Sequence, residues 1–156
     1  MAAAAARAAA DRGVEVTVVP TRSVVQGLAA AAVLDPGMQP AACAQHLVEA
    51  VAGVQDAAVA VAAREAATPV GVCHPGQVLG LIGGEVARIG ADPVQMTVDL
   101  IDQLAGPRAE LLTLVTGAQA PDGLVDAARA AAAEHDLDVE HIEGGQAVYL
   151  ALLGVE

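Results

Sequence analysis

Apolar and polar positions change rhythm along this chain, and each change predicts an element. Residues 2–12 are almost all alanine, which loses the least side-chain entropy in a helix. They predict a helix that Gly13 stops. From Val14 to Val19, valines alternate with Glu15 and Thr17, a short strand that Pro20 ends. Ser23 reads as a helix cap, Gln26 three residues on completes a capping box, and the apolar stretch behind them runs to Leu34. Asp35-Pro36-Gly37 turns the chain. A second helix from Pro40 to Ala52 places Ala44, Leu47, Val48 and Val51 on one side. Ala57 to Ala63 fits either period. Val59 and Val61 alternate with small residues after Gly53, which favours a strand.

From Pro69 to Gly90 the apolar runs shorten. Val70–Cys73, Gln77–Ile82 and Glu85–Ile89 are separated by His-Pro-Gly and Gly-Gly, a hairpin-rich segment with its tightest turn at Gly83-Gly84. Asp92 caps the next helix and Pro93 opens it; it reaches Leu104 before Gly106-Pro107. Leu111–Val115, a helix from Pro121 to His135, and Leu137–Ile142 make a strand–helix–strand unit, which implies parallel pairing through a right-handed crossover. Gly144-Gly145 turns the chain into a last strand, Val148–Val155. The predicted fold class is α/β, a mixed and mostly parallel sheet with helices packed on it and a hairpin-rich middle segment. Residues 1–13 are expected as an N-terminal alanine-rich helix and residues 14–156 as a single α/β domain.

Composition narrows the chemistry. Hydrophobic residues make up 55% of the chain, yet Tyr149 is its one aromatic residue and alanine occurs 38 times. The core must therefore be aliphatic and closely packed, and stacking on nucleobases is not its means of recognition. Nineteen acids against seven arginines give a net charge of −12, which repels nucleic-acid phosphates and acidic lipid surfaces. Cys43 and Cys73 are too few for a disulfide framework, and a reducing cytoplasmic setting is the simpler expectation. No uncharged apolar run approaches the roughly 18 residues of a membrane span. Residues 1–10 are too weakly apolar for a secretory leader.

Candidate chemistry gathers at strand ends. Thr21, Arg22 and Ser23 stand where a strand gives way to a helix, a junction whose backbone N–H groups can hold an anion. The plainer reading is a surface arginine beside a capping serine. The glycine run and lysine of a phosphate-binding P-loop are missing. Thr116 and Gly117 form a second strand-end turn, where open α/β sheets bind ligands or where the chain simply leaves the sheet. Gly144, Gly145 and Gln146 pair a sharp reversal with a side-chain amide. Tyr149 is either a core filler with its hydroxyl at the edge or an interface anchor. Cys73 and His74 are adjacent and His46, His135 and His141 are scattered, so no compact metal-ligand spacing exists and no metal site is expected. No nucleophile is paired with a base, and no catalytic residue is assigned.

Three motifs in order carry a resemblance. The run from Val16 to Ala30, with Pro20-Thr21-Arg22-Ser23 and then Gln26-Gly27 before an alanine-rich helix, resembles the opening of the C-terminal domain of dihydroxyacetone-kinase-like proteins. These include the kinase subunit of bacterial fatty acid kinase. Gly76 to Val86 is similar to that family's glycine-punctuated hairpin. Glu143-Gly144-Gly145-Gln146, Tyr149 and the closing Gly154-Val155-Glu156 are similar to its C-terminal ending. This chain has Gln77 where the family is more often acidic, and Ala147 and Leu150 where prolines commonly flank the tyrosine.

The resemblance implies a longer kinase with a helical N-terminal domain that binds ATP and magnesium, a middle domain and this C-terminal region. Such a kinase phosphorylates a fatty acid carried by a separate lipid-binding protein, on the way to phospholipid synthesis. The magnesium-binding aspartates of the kinase motif are not recognisable here. ATP and Mg are thus implied for a separate kinase domain, and no cofactor for this chain. The expected role is a noncatalytic docking or regulatory domain. Its partners would be its own kinase domain and the fatty-acid-binding partner subunit, with Arg22, Gln146 and Tyr149 as contacts. The alternative is a small-molecule- or anion-binding α/β domain with its site at the strand-end loops, or a structural domain that forms a homodimer. An exposed apolar patch would favour docking or self-association. A closed pocket with converging polar groups would favour a ligand.

Overall fold

A computed structural model describes Ala6 and residues 9–156. Ala6, Ala9 and Ala10 are helical, and Gly13 leaves that turn at φ +75°; the rest of the expected alanine helix lies outside the described residues. The predicted strand at residues 14–19 keeps its alternation but forms no ladder. Glu15, Thr17 and Val19 face Cys43, Ala44 and Leu47, while Val14, Val16 and Val18 are exposed. Helix α1 (Val24–Ala32) follows, with Ser23 at its cap, and α2 (Pro40–Gly53) packs on it.

The sheet begins with β1 (Gln55–Val61). A small two-stranded excursion, β2 (Ala66–Thr68) and β3 (Gly71–Cys73), precedes β4 (Val78–Ile82) and β5 (Glu85–Gly90). Gly83 and Gly84 join β4 to β5 at φ +58° and +87°, two successive positive φ angles that match the twist of the flanking strands. Helix α3 (Pro93–Leu104) leads to β6 (Leu111–Thr116), α4 (Leu124–Glu134), β7 (Asp138–Glu143) and β8 (Tyr149–Val155). Asp92 accepts hydrogen bonds from Val94 N and Gln95 N and caps α3. Helix α4 starts three residues later than its proline suggests, with Gly123 as its cap in the left-handed region.

The six main strands lie in the order β5-β4-β1-β8-β6-β7. The expectation of a mostly parallel sheet is wrong: β6–β7 is the one parallel pair in it, and β5–β4, β4–β1, β1–β8 and β8–β6 are antiparallel. The strand–helix–strand unit of β6, α4 and β7 is present as predicted. It says nothing of the other strands, because one crossover fixes only the two strands it joins. The reversal after β7 sends β8 back between β6 and β1, so the last strand is antiparallel to both neighbours.

Helices cover the two sheet faces unequally. Against one face α3 and α4 bury Leu100, Ile101, Leu104, Leu124 and Ala128 on Val59, Leu112, Leu114, Leu153 and Val155. Small residues let the helices approach closely. A Cβ on Gly80 would stand 2.6 Å from Met96 Sδ. On the other face α1 alone supplies a smaller cluster, Val25 and Ala29 with Val54, Val115 and Leu152. Gly154 admits α1 to β8, since a Cβ there would meet Val25 Cβ at 2.9 Å. Beyond α1, Leu79, Leu81, Val86 and Ile89 of β4 and β5 are only half-buried. The start of α1 therefore stands at the edge of its own covered zone. Among the described residues no helix is long and apolar enough to cross a membrane.

Candidate functional site

Two clefts open at the strand-end loops. The first, about 370 Å³, lies between the start of α1, β1, the β4–β5 turn and the segment from Gln146 to Tyr149. Its walls are aliphatic: Val24, Ala57, Ala58, Leu81, Ala147, Val148 and Leu152, with Tyr149 beside them. Its polar groups, Arg22, Ser23, Asp56 and Gln146, come from three separate stretches of chain.

Asp56 is the centre of that polar set. It is only 8% exposed, because β1 carries it on the face that α1 covers. Gln26 Nε2 donates to Asp56 Oδ1 at 3.4 Å, and the Arg22 guanidinium stands 3.6 Å from the same oxygen. Ser23 Oγ accepts from Gln26 N at 3.4 Å, as the predicted cap requires. The Gln26 side chain does not close the capping box on Ser23. Its Oε1 accepts from Arg22 N at 2.9 Å while its amide nitrogen reaches Asp56. Gln26 thus ties the entry of α1 to β1 and fixes the backbone of Arg22 over a buried carboxylate. A buried carboxylate is costly without such partners.

The second cleft, about 400 Å³, lies at the carboxyl ends of the parallel strands β6 and β7, beside the start of α4. Thr116, Gly117, Asp122, Asp126, His141, Glu143 and Gly145 line it. Thr116 Oγ1 is 2.9 Å from His141 Nε2. Its carboxylates are dispersed: among the described residues no three His, Cys, Asp or Glu side chains could hold a metal ion together. The donor set does not fit magnesium, and no step is routed through one.

The residues singled out in the sequence separate into these two places. Arg22, Ser23, Gln146 and Tyr149 line the first cleft, and Thr21 is exposed on a shallow depression beside it with Arg22, Ser23, Val24 and Leu28. Thr116, Gly117 and Gly145 line the second. Gly144 stands between them. Its N–H and that of Gly145 both donate to Thr116 O, at 2.9 and 3.1 Å. Gln146 Nε2 donates to Val115 O at 3.2 Å. Gly117 N donates to Leu150 O, and a Cβ on Gly117 would collide with the carbonyl oxygens of Tyr149 and Gln146. These glycines and Gln146 lace the end of β6 to the loop that forms one wall of the first cleft. Tyr149 is half-buried and packs on the α1 cluster, so it serves both as core and as cleft wall. Asp56 gives no signal in the sequence, since an acid just before an alternating strand does not show that a helix will bury it. The cleft role of His141, Asp122, Asp126 and Glu143 is likewise hidden there, because it depends on which strand ends meet.

The chain belongs to the FakA-like C-terminal family, the family of fatty acid kinase C-terminal domains, whose model matches residues 1–156. It is 26% identical over 144 residues to an uncharacterized protein of Staphylococcus haemolyticus, covering 91% of this chain and 26% of that protein. It is 24% identical over 155 residues to an uncharacterized protein of Staphylococcus aureus, covering 98% of this chain and 28% of that one. The chain thus spans about a quarter of the length of the curated relatives it matches. The crystal structure of the dihydroxyacetone kinase from C. freundii in complex with AMP-PNP and Mg2+ is similar over 98% of this chain and 35% of its own, with a TM-score of 0.58 and 18% identity. That likeness is one of fold.

These findings correct the expected docking role. The fold is one that a small-molecule kinase itself uses, not an appendage peculiar to contact between subunits. Of the two marks that separate docking from ligand binding, the strand-end loops carry the ligand mark, a cleft with converging polar groups. The alternative, a small-molecule or anion site at those loops, is the better supported.

Proposed function

We propose that this chain is a small-molecule-binding domain of a fatty-acid-kinase-like protein, and that it seats an amphipathic ligand in the first cleft. The observation that carries the reading is the buried Asp56 carboxylate beneath Arg22, at one end of an otherwise aliphatic cleft. Clefts of roughly 300–1,000 Å³ with apolar walls and few oriented polar groups are the usual form of small-molecule sites. Aliphatic walls suit an alkyl body better than a nucleobase, and one polar end suits a single head group. Thr21, Ser23 and Gln146 frame the polar end; Thr116, Gly117, Gly144 and Gly145 hold the loop that forms the wall. The fatty-acid-binding partner, the ATP-using kinase domain and a homodimer belong, on this reading, to the whole protein's assembly.

The test is thermal unfolding with octanol, octanoate, inorganic phosphate and AMP-PNP with Mg2+ as separate probes. An octyl probe near a hundred times its Kd should stabilise the fold by about 2.7 kcal/mol, a Tm rise of roughly 5–10 °C for a chain of this size. Ala58→Leu, which fills the cleft from β1, should abolish that rise. If neither octyl probe shifts Tm, or if Ala58→Leu leaves the shift intact, the cleft is not a ligand site.

A further inference from the structure

Asp56 presents an oxygen to the cleft that the protein does not use. Both of its side-chain partners, Gln26 and Arg22, reach Oδ1. Among the described residues every fully buried side-chain nitrogen or oxygen has a partner. Oδ2 has none, so it is open to the cleft that Asp56 lines. The Asp56 side chain is otherwise 9% exposed, whereas that of Arg22 is 72% exposed and stands at the mouth.

Charge and hydrogen-bond capacity then select the head group. An anionic head would meet a buried carboxylate at the floor, where repulsion is poorly screened. A cationic head would meet the Arg22 guanidinium on the way in. A purely apolar end would cover Oδ2 without giving it a donor, at the cost of a desolvated acceptor. A hydroxyl is neutral, donates one hydrogen bond and accepts another. It can donate to Asp56 Oδ2 and accept from Arg22 or from a cleft amide. We infer that the first cleft selects a neutral, hydroxyl-headed alkyl compound over the corresponding carboxylate, with Asp56 as the residue that sets this preference. The inference rests on the proposed ligand site, and its failure is separable from that of the site.

The experiment measures Kd for octanol, octanoate and octylammonium by calorimetry, with methyl NMR of Val148 and Leu152 to locate each probe. Octanol should bind the native chain at least about tenfold more tightly than either charged probe, the scale of one satisfied rather than unpaired buried polar group. In Asp56→Asn the floor loses its charge, so octanoate should gain about tenfold while octanol changes little. Arg22 is largely exposed, so Arg22→Gln is a second variant that spares the core; there octylammonium should gain and octanoate should weaken further. Octanoate binding as tightly as octanol in the native chain, or an unchanged ranking in both variants, overturns the role of Asp56. Methyl signals that none of the three probes moves overturn the cleft itself as well.

Discussion

Gly117 and Gly80 show how differently two glycines can be required. At Gly117 an added Cβ would run into the carbonyl oxygens of Tyr149 and Gln146, backbone atoms held by the β6–β8 pairing and by Ala118 N donating to Gln146 O. At Gly80 the obstacle is Met96 Sδ, part of a flexible side chain that can swing aside. Gly117→Ala should therefore cost about 1–3 kcal/mol as overpacking against a fixed backbone. Gly80→Ala should cost less than about 1 kcal/mol. Urea unfolding of the two variants distinguishes them, and equal losses would show that the β6–loop junction is softer than its hydrogen bonds indicate. The polar set in the first cleft is fixed by similar local means. Ser23 caps α1, and the cap brings Gln26 to where it can hold Arg22 N and Asp56 at once.

At the scale of elements, the segment 14–19 is the exception to a sequence reading that otherwise places strands well. Its composition is that of a strand and its alternation is retained, but valine alternation supplies a face, not a partner. No ladder forms on it, while β1 is paired on both sides by β4 and β8. Hydrogen exchange should reflect this. The amides of Val16 to Val19 should exchange orders of magnitude faster than those of Ala57 to Val59 and Leu152 to Leu153, which open only in the larger unfolding events. Protection of residues 16–19 equal to that of β1 in the isolated chain would mean that a second strand pairs with them in solution. Helices are legible with their caps because Ser23, Asp92 and Pro93 act within one turn. The start of α4 is displaced because Pro121 forms a turn first and Gly123 takes the left-handed cap conformation.

For the whole molecule, nineteen acids and seven arginines make self-repulsion a property of the folded state. Few ion pairs offset it: Arg22–Asp56 and Arg88–Asp99 are the arginine pairs among the described residues, and Arg88–Asp99 lies near the surface, where such pairs contribute little. Raising the salt from about 0.01 M to about 0.15 M shortens the screening length from about 30 Å to about 8 Å. The Tm should rise by a few degrees over that interval, in the absence of ligand. A fall in Tm would indicate that attractive pairs outweigh the net charge. The aliphatic core has no ring to fill gaps, so close approach at Gly80 and Gly154 substitutes for bulk.

By itself the sequence determined the helices, most of the strands, the Gly83-Gly84 hairpin, the β6–α4–β7 unit and membership in the kinase-related family, because caps, turns and periodic apolar faces act over a few residues. Tertiary structure decided that the sheet is mainly antiparallel, since strand order depends on where β8 finds room between β1 and β6. It also decided that Asp56 is buried beneath Arg22, because burial of one acid on β1 follows from the helix that Gly154 admits from the far end of the chain.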